Sequence, residues 1–130
     1  MAATVGAGDQ LKFQAIGVED PWPEGQFDVV SIVDVMHHVP ANARRSVLQH
    51  AFQHLRPGGR LVYKDMTHRG WRAFMNQLHD LTLTREWITY TPAETVEHWA
   101  SQIGFTMVHA SHHRRWWYGH DLRVLEKPAP

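Results

Sequence analysis

The sequence predicts an α/β protein with one sheet of about five strands, mostly parallel, helices on both faces and an antiparallel hairpin at its carboxyl-terminal end. Two observations lead to this fold class. A strand, a helix and a second strand follow one another between residues 27 and 66, which is typical of a right-handed crossover between parallel strands. Two further strand patterns close the chain, separated by a short polar and aromatic segment, as expected of a hairpin.

The predicted crossover begins with a buried strand over 27–34. Its sequence, FDVVSIVD, is a nearly continuous apolar run, as in strands that are covered on both faces. A helix starts near Pro40, because apolar residues then recur at helical spacing: Val47, Leu48, Ala51, Phe52 and Leu55. The RPGG segment over 56–59 ends this helix, since proline cannot continue its hydrogen-bond ladder, and residues 60–66 form the next strand.

Two more helices are predicted in the second half of the chain. Residues near 70–83 repeat apolar side chains along one helical face. The stretch TPAETVEHWASQIGF is marked more strongly. Thr91 is expected to cap this helix, with Pro92 in its first turn, and Glu94 completes a capping box. Gly104 is expected to end the helix.

The remaining strands lie towards the two ends of the chain. Residues 11–18 alternate apolar and polar side chains, which predicts a short first strand. Strands at roughly 105–112 and 120–127 are joined by HHRRWWYGH and should pair antiparallel at the sheet's edge. Residues 1–10 carry little apolar periodicity and are interpreted as a flexible lead-in, which leaves 11–130 as a single domain.

The composition excludes several classes of protein. The chain of 130 residues has no cysteine, so disulfides and thiolate metal sites are excluded. Thirteen basic residues balance thirteen acidic ones, so no global field attracts nucleic acid or acidic membranes. Neither a signal-peptide pattern nor an apolar run of the ~20 residues needed for a membrane helix is found. We therefore expect a cytoplasmic protein without nucleic-acid or membrane partners.

The eleven histidines do not predict a metal site. His50 and His54 are one helical turn apart, a spacing that can hold zinc, but no third ligand is evident and both are expected to face solvent. His109 and His113 share one face of a strand, yet four residues of strand separate them by about 13 Å. One ion cannot bridge that distance, and no metal is expected.

The segment HHRRWWY, 112–118, is basic and aromatic. Such a segment could stack on bases and contact phosphates. No wider basic face supports that interpretation. Packing of the tryptophans against a neighbouring helix or subunit, with the arginines stacked on them, is preferred.

Titratable residues follow two adjacent strands where α/β sheets bind ligands. His37 and His38 come after the first strand of the crossover, and Lys64 and Asp65 end the second. Histidine titrates near neutrality and could act as a base in a reaction that removes a proton. A structural role is the alternative: Asp34 and the histidines could cap the following helix, and Asp65 could cap the helix near 70 or pair with a cation.

The ordered set of motifs resembles the later part of a class I S-adenosylmethionine-dependent methyltransferase. WPEGQFDVVSIVDVMHHVP is similar to that family's fourth strand and its histidine-bearing loop, and LRPGGRLVYKD to the turn into its fifth strand. IGF, followed by a hairpin that ends in LRVLEK, is similar to the antiparallel end of that sheet. The chain also resembles a subgroup of this family that has Lys-Asp at the end of the fifth strand and His-Asp on the following helix. The resemblance lies in KDM and in the downstream segment GWRAFMNQLHDLTLTREWITY. The resemblance covers roughly 11–127 and implies a truncated Rossmann-like methyltransferase fold.

The resemblance also implies a cofactor, a reaction and a set of site residues. The cofactor would be S-adenosylmethionine, and the reaction methyl transfer to a small-molecule acceptor. Proton handling is assigned to four residues: His37, His38, Asp65 and His79. The last lies beside Asp80 on a helix that could close over the crevice. Cofactor contacts are assigned to five residues: Glu19, Asp20, Asp34, Val35 and Met36.

The chain departs from the family in its first half. The family's first strand, with its glycine-rich loop, and its second strand, whose acidic end holds the ribose hydroxyls, have no counterpart. The nearest candidate, VGAGD at 5–9, has two glycines and no strand before it, which is weak evidence for nucleotide binding. The alternative function is therefore a non-catalytic methyltransferase-like module for binding or dimerisation that has lost the cofactor.

Loss of those two strands would leave one edge of strand 27–34 unpaired. Such an edge, rich in valine and isoleucine, invites pairing with another strand. Either strand 11–18 moves in beside it, or another chain does. We expect a homodimer, or a second polypeptide that completes the sheet.

Overall fold

The computed structural model describes residues 11–66, 90–115 and 118–130, with the side chains of Arg115 and Tyr118 excepted. The strands of this part are β1 (Phe27–Val33), β2 (Leu55–Met66), β3 (Thr106–Arg115) and β4 (Tyr118–Glu126). Its helices are α1 (Arg44–His54) and α2 (Ala93–Ile103), with a short 3₁₀ turn at Met36–His38.

The four strands form one mixed sheet in the order β1-β2-β4-β3. β1 and β2 are parallel and are connected through α1, which confirms the predicted crossover. β4 is antiparallel to both of its neighbours, and β3 and β4 form the predicted hairpin at the edge. The predicted fold class is thus confirmed, with four strands in the described part instead of about five.

The prediction of a strand over 11–18 is wrong. Residues 11–17 form no regular element. Their apolar side chains stay in solvent, with Leu11 56% exposed and Phe13 74% exposed. The alternating pattern records a preference for a pleated surface, but a strand forms only where a neighbouring edge accepts its backbone hydrogen bonds.

The end of α1 and the start of β2 differ slightly from the prediction. α1 ends at His54, and β2 begins at Leu55, before the RPGG segment. Gly58 has a φ of 80°, in the left-handed region that favours glycine, so the chain turns sharply there. The Gly58 N–H donates to the carbonyl of Lys127, beyond the end of β4, at 2.7 Å. The turn is therefore tied to the sheet.

α2 ends as predicted but begins differently. Gly104 follows its last residue with a φ of 119°. The predicted cap by Thr91 is wrong, because Pro92 occupies the capping position and no side chain caps the helix. The Thr91 hydroxyl instead accepts a hydrogen bond from Arg44 at 2.8 Å. The buried guanidinium of Arg44 carries several N–H donors that need acceptors, and the Thr91 hydroxyl is one of these acceptors.

The hairpin is longer than predicted. β3 continues to Arg115 and β4 starts at Tyr118, so most of HHRRWWYGH belongs to the two strands and not to a loop. Trp116 and Trp117 lie outside the described residues, as does the helix predicted near 70–83.

Both described helices pack on the same face of the sheet. Side chains of β1, β2 and β4 on this face join side chains of α1 and α2 in one buried cluster. It includes Ile32, Leu61, Tyr63, Leu125, Val47, Leu48, Ala51, Val96 and Ala100. On the opposite face of β1, Val29 is 57% exposed and Val33 is 47% exposed. No helix of the described part is long and apolar enough to cross a membrane.

Candidate active site

The sheet and the 3₁₀ turn bring the predicted site residues to one edge. The Asp34 N–H donates to the carbonyl of Lys64 at 2.9 Å, which extends the parallel pairing one residue beyond β1. The 3₁₀ turn, Met36–His38, follows at once. His37 therefore lies above the end of β2, where Asp65 is located. This is the carboxyl end of two parallel strands, the position of ligand sites in α/β sheets.

His37 and Asp65 form a buried hydrogen-bonded pair. The His37 Nδ1 and Asp65 Oδ1 atoms are 2.6 Å apart, and the two residues are 8% and 4% exposed. Asp65 Oδ1 also accepts the Met66 N–H at 2.9 Å, which keeps the carboxylate in place. An ionised carboxylate can only accept, so Nδ1 carries the proton and Nε2 keeps its lone pair. Nε2 is therefore the basic atom of the pair.

Tyr63 supports the second oxygen of Asp65. Its hydroxyl donates to Asp65 Oδ2 over a long contact of 3.5 Å, from the same face of β2. Burial, and then the nearby charge of Asp65, raises the pKa of Tyr63 well above its ordinary value. The hydroxyl therefore stays protonated and remains a donor.

Arg44 holds the loop that carries His37. This arginine is 4% exposed. Its Nε donates to the carbonyl of Val39 at 2.9 Å, and one terminal nitrogen approaches the carbonyl of His37 at 3.4 Å. Another terminal nitrogen binds Thr91, at the approach to α2. Burial lowers the pKa of Arg44 while Asp65 raises it, and an arginine stays charged across the physiological range.

Sequence reasoning missed Arg44, although a signal was present. Arg44 lies three, four and seven residues before the apolar residues Val47, Leu48 and Ala51, and so on the same helical stripe. A basic side chain on the stripe that faces the core has to find buried acceptors. That pattern points to a structural or functional anchor.

An ion pair lies on the other face of the sheet. Lys64 Nζ is 2.6 Å from Asp34 Oδ2, and both side chains are partly exposed. Asp34 Oδ1 is inaccessible to solvent and has no hydrogen-bond partner, and the same is true of His120 Nδ1. Asp34 also has a φ of 52°, which is uncommon for a residue other than glycine and is found preferentially at functional sites.

His120, on β4, was not singled out by sequence reasoning either. Burial, and then the positive charge of Lys64, lowers the pKa of His120 below its ordinary value. No motif marks this residue. The antiparallel pairing of β4 with β2 brings it opposite Met66, close to the two acid–base pairs.

The other residues assigned to catalysis are placed less clearly. His38 is exposed, and its ring centroid lies 4.1 Å from that of His37. His79 and Asp80 lie outside the described residues. The alternative that Asp34 or the histidines cap α1 is wrong, since no side chain caps α1 and Asp34 pairs with Lys64.

The residues assigned to cofactor contacts are dispersed. Val35 is 48% exposed next to the 3₁₀ turn, whereas the side chain of Met36 is fully buried in the core. Glu19 and Asp20 are exposed in the segment before β1. Asp20 Oδ2 accepts the N–H of Gly17 at 2.6 Å in a local turn. The assignment of these residues to a cofactor stays a prediction.

His50 and His54 are half-buried, which differs from the expected exposure. Trp22 covers both, with its ring centroid 5.5 Å from each imidazole. His54 Nδ1 also contacts the carbonyl of His50 at 2.8 Å. Among the described residues, no group of three potential ligands is placed to hold a metal ion.

A model of the methyltransferase domain family matches residues 5–110 of the chain. The chain belongs to this methyltransferase family. The match covers well over half of the sequence and confirms the resemblance to class I S-adenosylmethionine-dependent methyltransferases.

One curated relative matches a shorter stretch. The 27-O-demethylrifamycin SV methyltransferase of Amycolatopsis mediterranei (strain S699) is 41% identical over 58 residues, which make up 44% of this chain and 21% of that protein. This domain therefore spans about a fifth of the relative's length.

Solved structures of methyltransferases share the fold. TnmH superposes with a TM-score of 0.67 at 17% identity, covering 89% of this chain and 34% of that one. The N-methyltransferase NodS from Bradyrhizobium japonicum WM9, in complex with S-adenosyl-L-homocysteine, gives 0.65 at 17% identity, covering 88% and 53%. A putative methyltransferase from Bacillus halodurans C-125 gives 0.66 at 14% identity, covering 89% and 71%. At these identities the likeness shows the fold alone.

The described residues of this methyltransferase domain fit part of a cofactor site. The unpartnered Asp34 Oδ1 lies at the carboxyl end of β1 and needs a donor, such as a hydroxyl or ammonium group of a ligand. Among the described residues, no strand is followed by a glycine-rich loop of the kind that approaches a nucleotide. The candidate at 5–9 lies outside them. The fit is thus one carboxylate, at the same edge of the sheet as the His37–Asp65 pair but on its other face.

Proposed function

We propose that this methyltransferase domain takes part in methyl transfer from S-adenosylmethionine to a hydroxyl or similar group of a small-molecule acceptor, with His37 as the base. The observation that carries the proposal is the buried His37–Asp65 pair at the carboxyl end of β1 and β2. A histidine oriented by a carboxylate is suited to removing the proton of a weakly acidic nucleophile. Family membership supports the reaction class.

Bound S-adenosylmethionine supplies a methyl group that its sulfonium already activates. The protein's own residues handle the proton. His37 Nε2 accepts the acceptor's proton, and Asp65 stabilises the resulting imidazolium through Nδ1–H. Arg44 keeps the 3₁₀ turn in position through the two carbonyls it binds. The partly exposed Asp34 would hold a donor group of the cofactor.

The first test is titration of the purified 130-residue chain with S-adenosylhomocysteine by calorimetry. We expect micromolar binding, weakened at least tenfold by Asp34→Asn, because the variant's amide replaces the charged acceptor. Asp28→Asn is the matched control, since Asp28 is exposed at the other end of β1 and pairs with Arg56. Absence of binding by the wild-type chain would overturn the enzymatic proposal for this chain alone.

The second test measures turnover with labelled S-adenosylmethionine and a panel of small hydroxylated acceptors. We expect His37→Gln to lower kcat by about 10²–10⁴-fold, as is typical of losing a general base. His98→Gln is the control, because His98 is exposed on the surface of α2, where its ring contacts Gln102. Equal activity of the two variants would exclude His37 as the base.

A non-catalytic binding or dimerisation module is the second candidate function. The exposed valines of β1 favour it, because they mark a surface that is suited to a partner. A stable dimer that does not bind S-adenosylhomocysteine would support this candidate over the enzyme.

A further inference from the structure

β1 is an exposed edge strand. It ends the sheet of the described residues, and its pattern of accessibility leaves five of its seven residues exposed. Phe27, Val29 and Val33 are 40%, 57% and 47% exposed. Edges of this kind are normally protected by lysine, proline or a covering element. β1 has neither residue, and its one charge, Asp28, pairs with Arg56 at 2.8 Å.

The segment 11–17 has the sequence pattern of a strand but no strand to pair with. It has the alternation of a strand but pairs with none, and Leu11 and Phe13 are among the most exposed apolar side chains. The residues just after it are anchored elsewhere. Val18 and Trp22 pack against the core cluster, and Trp22 lies over two histidines of α1. The segment 11–17 thus precedes two residues held against the core and α1, and it is paired with no strand of the described sheet.

We propose that two copies of this chain exchange these segments, so that residues 11–17 of each copy add a strand to the β1 edge of the other. Each chain carries both the unpaired segment 11–17 and the open β1 edge. In a two-fold symmetric dimer, each segment can therefore pair with the β1 edge of the other chain. A second copy is therefore the occupant that fits. The proposal does not depend on the catalytic function.

The side-chain pattern supports this pairing. Side chains alternate between the two faces of a strand, so Leu11 and Phe13 share one face and Lys12 takes the other. Along β1, Val29 and Val33 lie on the open face, while Asp28 takes the opposite one. A register that places Leu11 and Phe13 beside Phe27 and Val29, two exposed residues of this open face, therefore brings Lys12 beside Asp28. Apolar area and opposite charges then match together.

The test uses the absence of native cysteine. A Phe13→Cys chain is mixed with an isotopically heavy Val29→Cys chain and treated with a short bismaleimide, and the products are identified by mass. We expect heavy–light cross-links between the two chains. The matched control uses a heavy Ser101→Cys chain in place of the heavy Val29→Cys chain, because Ser101 is exposed on α2. We expect few cross-links between the Phe13→Cys and Ser101→Cys chains.

Native mass measured over a range of concentrations completes the test. We expect the wild-type chain at twice 15.0 kDa and a shift to the monomer with either Phe13→Glu or Val29→Lys. Val108→Lys is the matched control, because Val108 is 47% exposed, against 57% for Val29, and lies on the opposite edge strand; this variant should remain a dimer. A monomeric wild type, or heavy–light cross-links no more frequent with Val29→Cys than with Ser101→Cys, would overturn the proposal.

Discussion

At the residue scale, Asp65 organises the candidate site by accepting several hydrogen bonds at once. His37 and the Met66 N–H contact one oxygen, and Tyr63 contacts the other. Asp65→Ala leaves these buried donors without an acceptor, so we expect the free energy of unfolding to fall by about 1–3 kcal/mol in urea denaturation. Asp20→Ala, in an exposed turn, should cost less. Equal losses would mean that Asp65 is not a structural centre.

His120 gives a second prediction at this scale. Burial, and then Lys64, lowers the pKa of His120 below its ordinary 6.5, while three nearby carboxylates oppose the shift. The unfolded chain therefore takes up this proton at a higher pH than the folded one, and stability is lost as the pH falls below 6.5. We expect the wild type to lose unfolding free energy more steeply than His120→Gln between pH 6.5 and about 5. Parallel curves from urea titrations would refute this assignment.

At the scale of single elements, Gly104 determines where α2 stops. Its φ of 119° is unfavourable for any other residue, and an added Cβ would lie 3.2 Å from the ring of Phe52. We expect Gly104→Ala to lower the free energy of unfolding by about 1–3 kcal/mol. Gly25→Ala is the matched control, since Gly25 has a φ of 123° but nothing within 4 Å. The excess cost at Gly104 over Gly25, measured by thermal unfolding, reports the contact with Phe52.

At the scale of the whole molecule, charge balance governs behaviour in solution. Equal numbers of acidic and basic residues give a pI of about 7.2, and the chain has eleven histidines, the residue type whose charge ordinarily changes between pH 5 and 8. We expect solubility to be lowest near pH 7 and to rise towards about pH 5.5, where protonated histidines make the molecules repel one another. Solubility after ultracentrifugation over a pH series measures this, and a flat profile would contradict it.

The candidate site was predictable from the sequence only in part. Parallel strands end at the same edge, so the sequence predicted that His37, His38, Lys64 and Asp65 would gather there, without indicating which of them would pair. Alternation along a strand also requires Lys64 and Asp65 to point to opposite faces. Which of them faces the helices depends on how α1 packs, and so the separate His37–Asp65 and Asp34–Lys64 pairs were not predictable. The anchoring of the loop by Arg44 depends on the same packing.

By itself the sequence determined the local elements and the family. The apolar run of β1, the helical period of α1 and the glycine that ends α2 depend on neighbouring residues, so local patterns contain them. Only the tertiary structure decided that 11–17 remains unpaired and that Thr91 serves Arg44 instead of capping α2. Both outcomes depend on hydrogen-bond partners that are far away in the chain. A local pattern shows that a backbone or side-chain group needs a partner, but not which distant residue provides it.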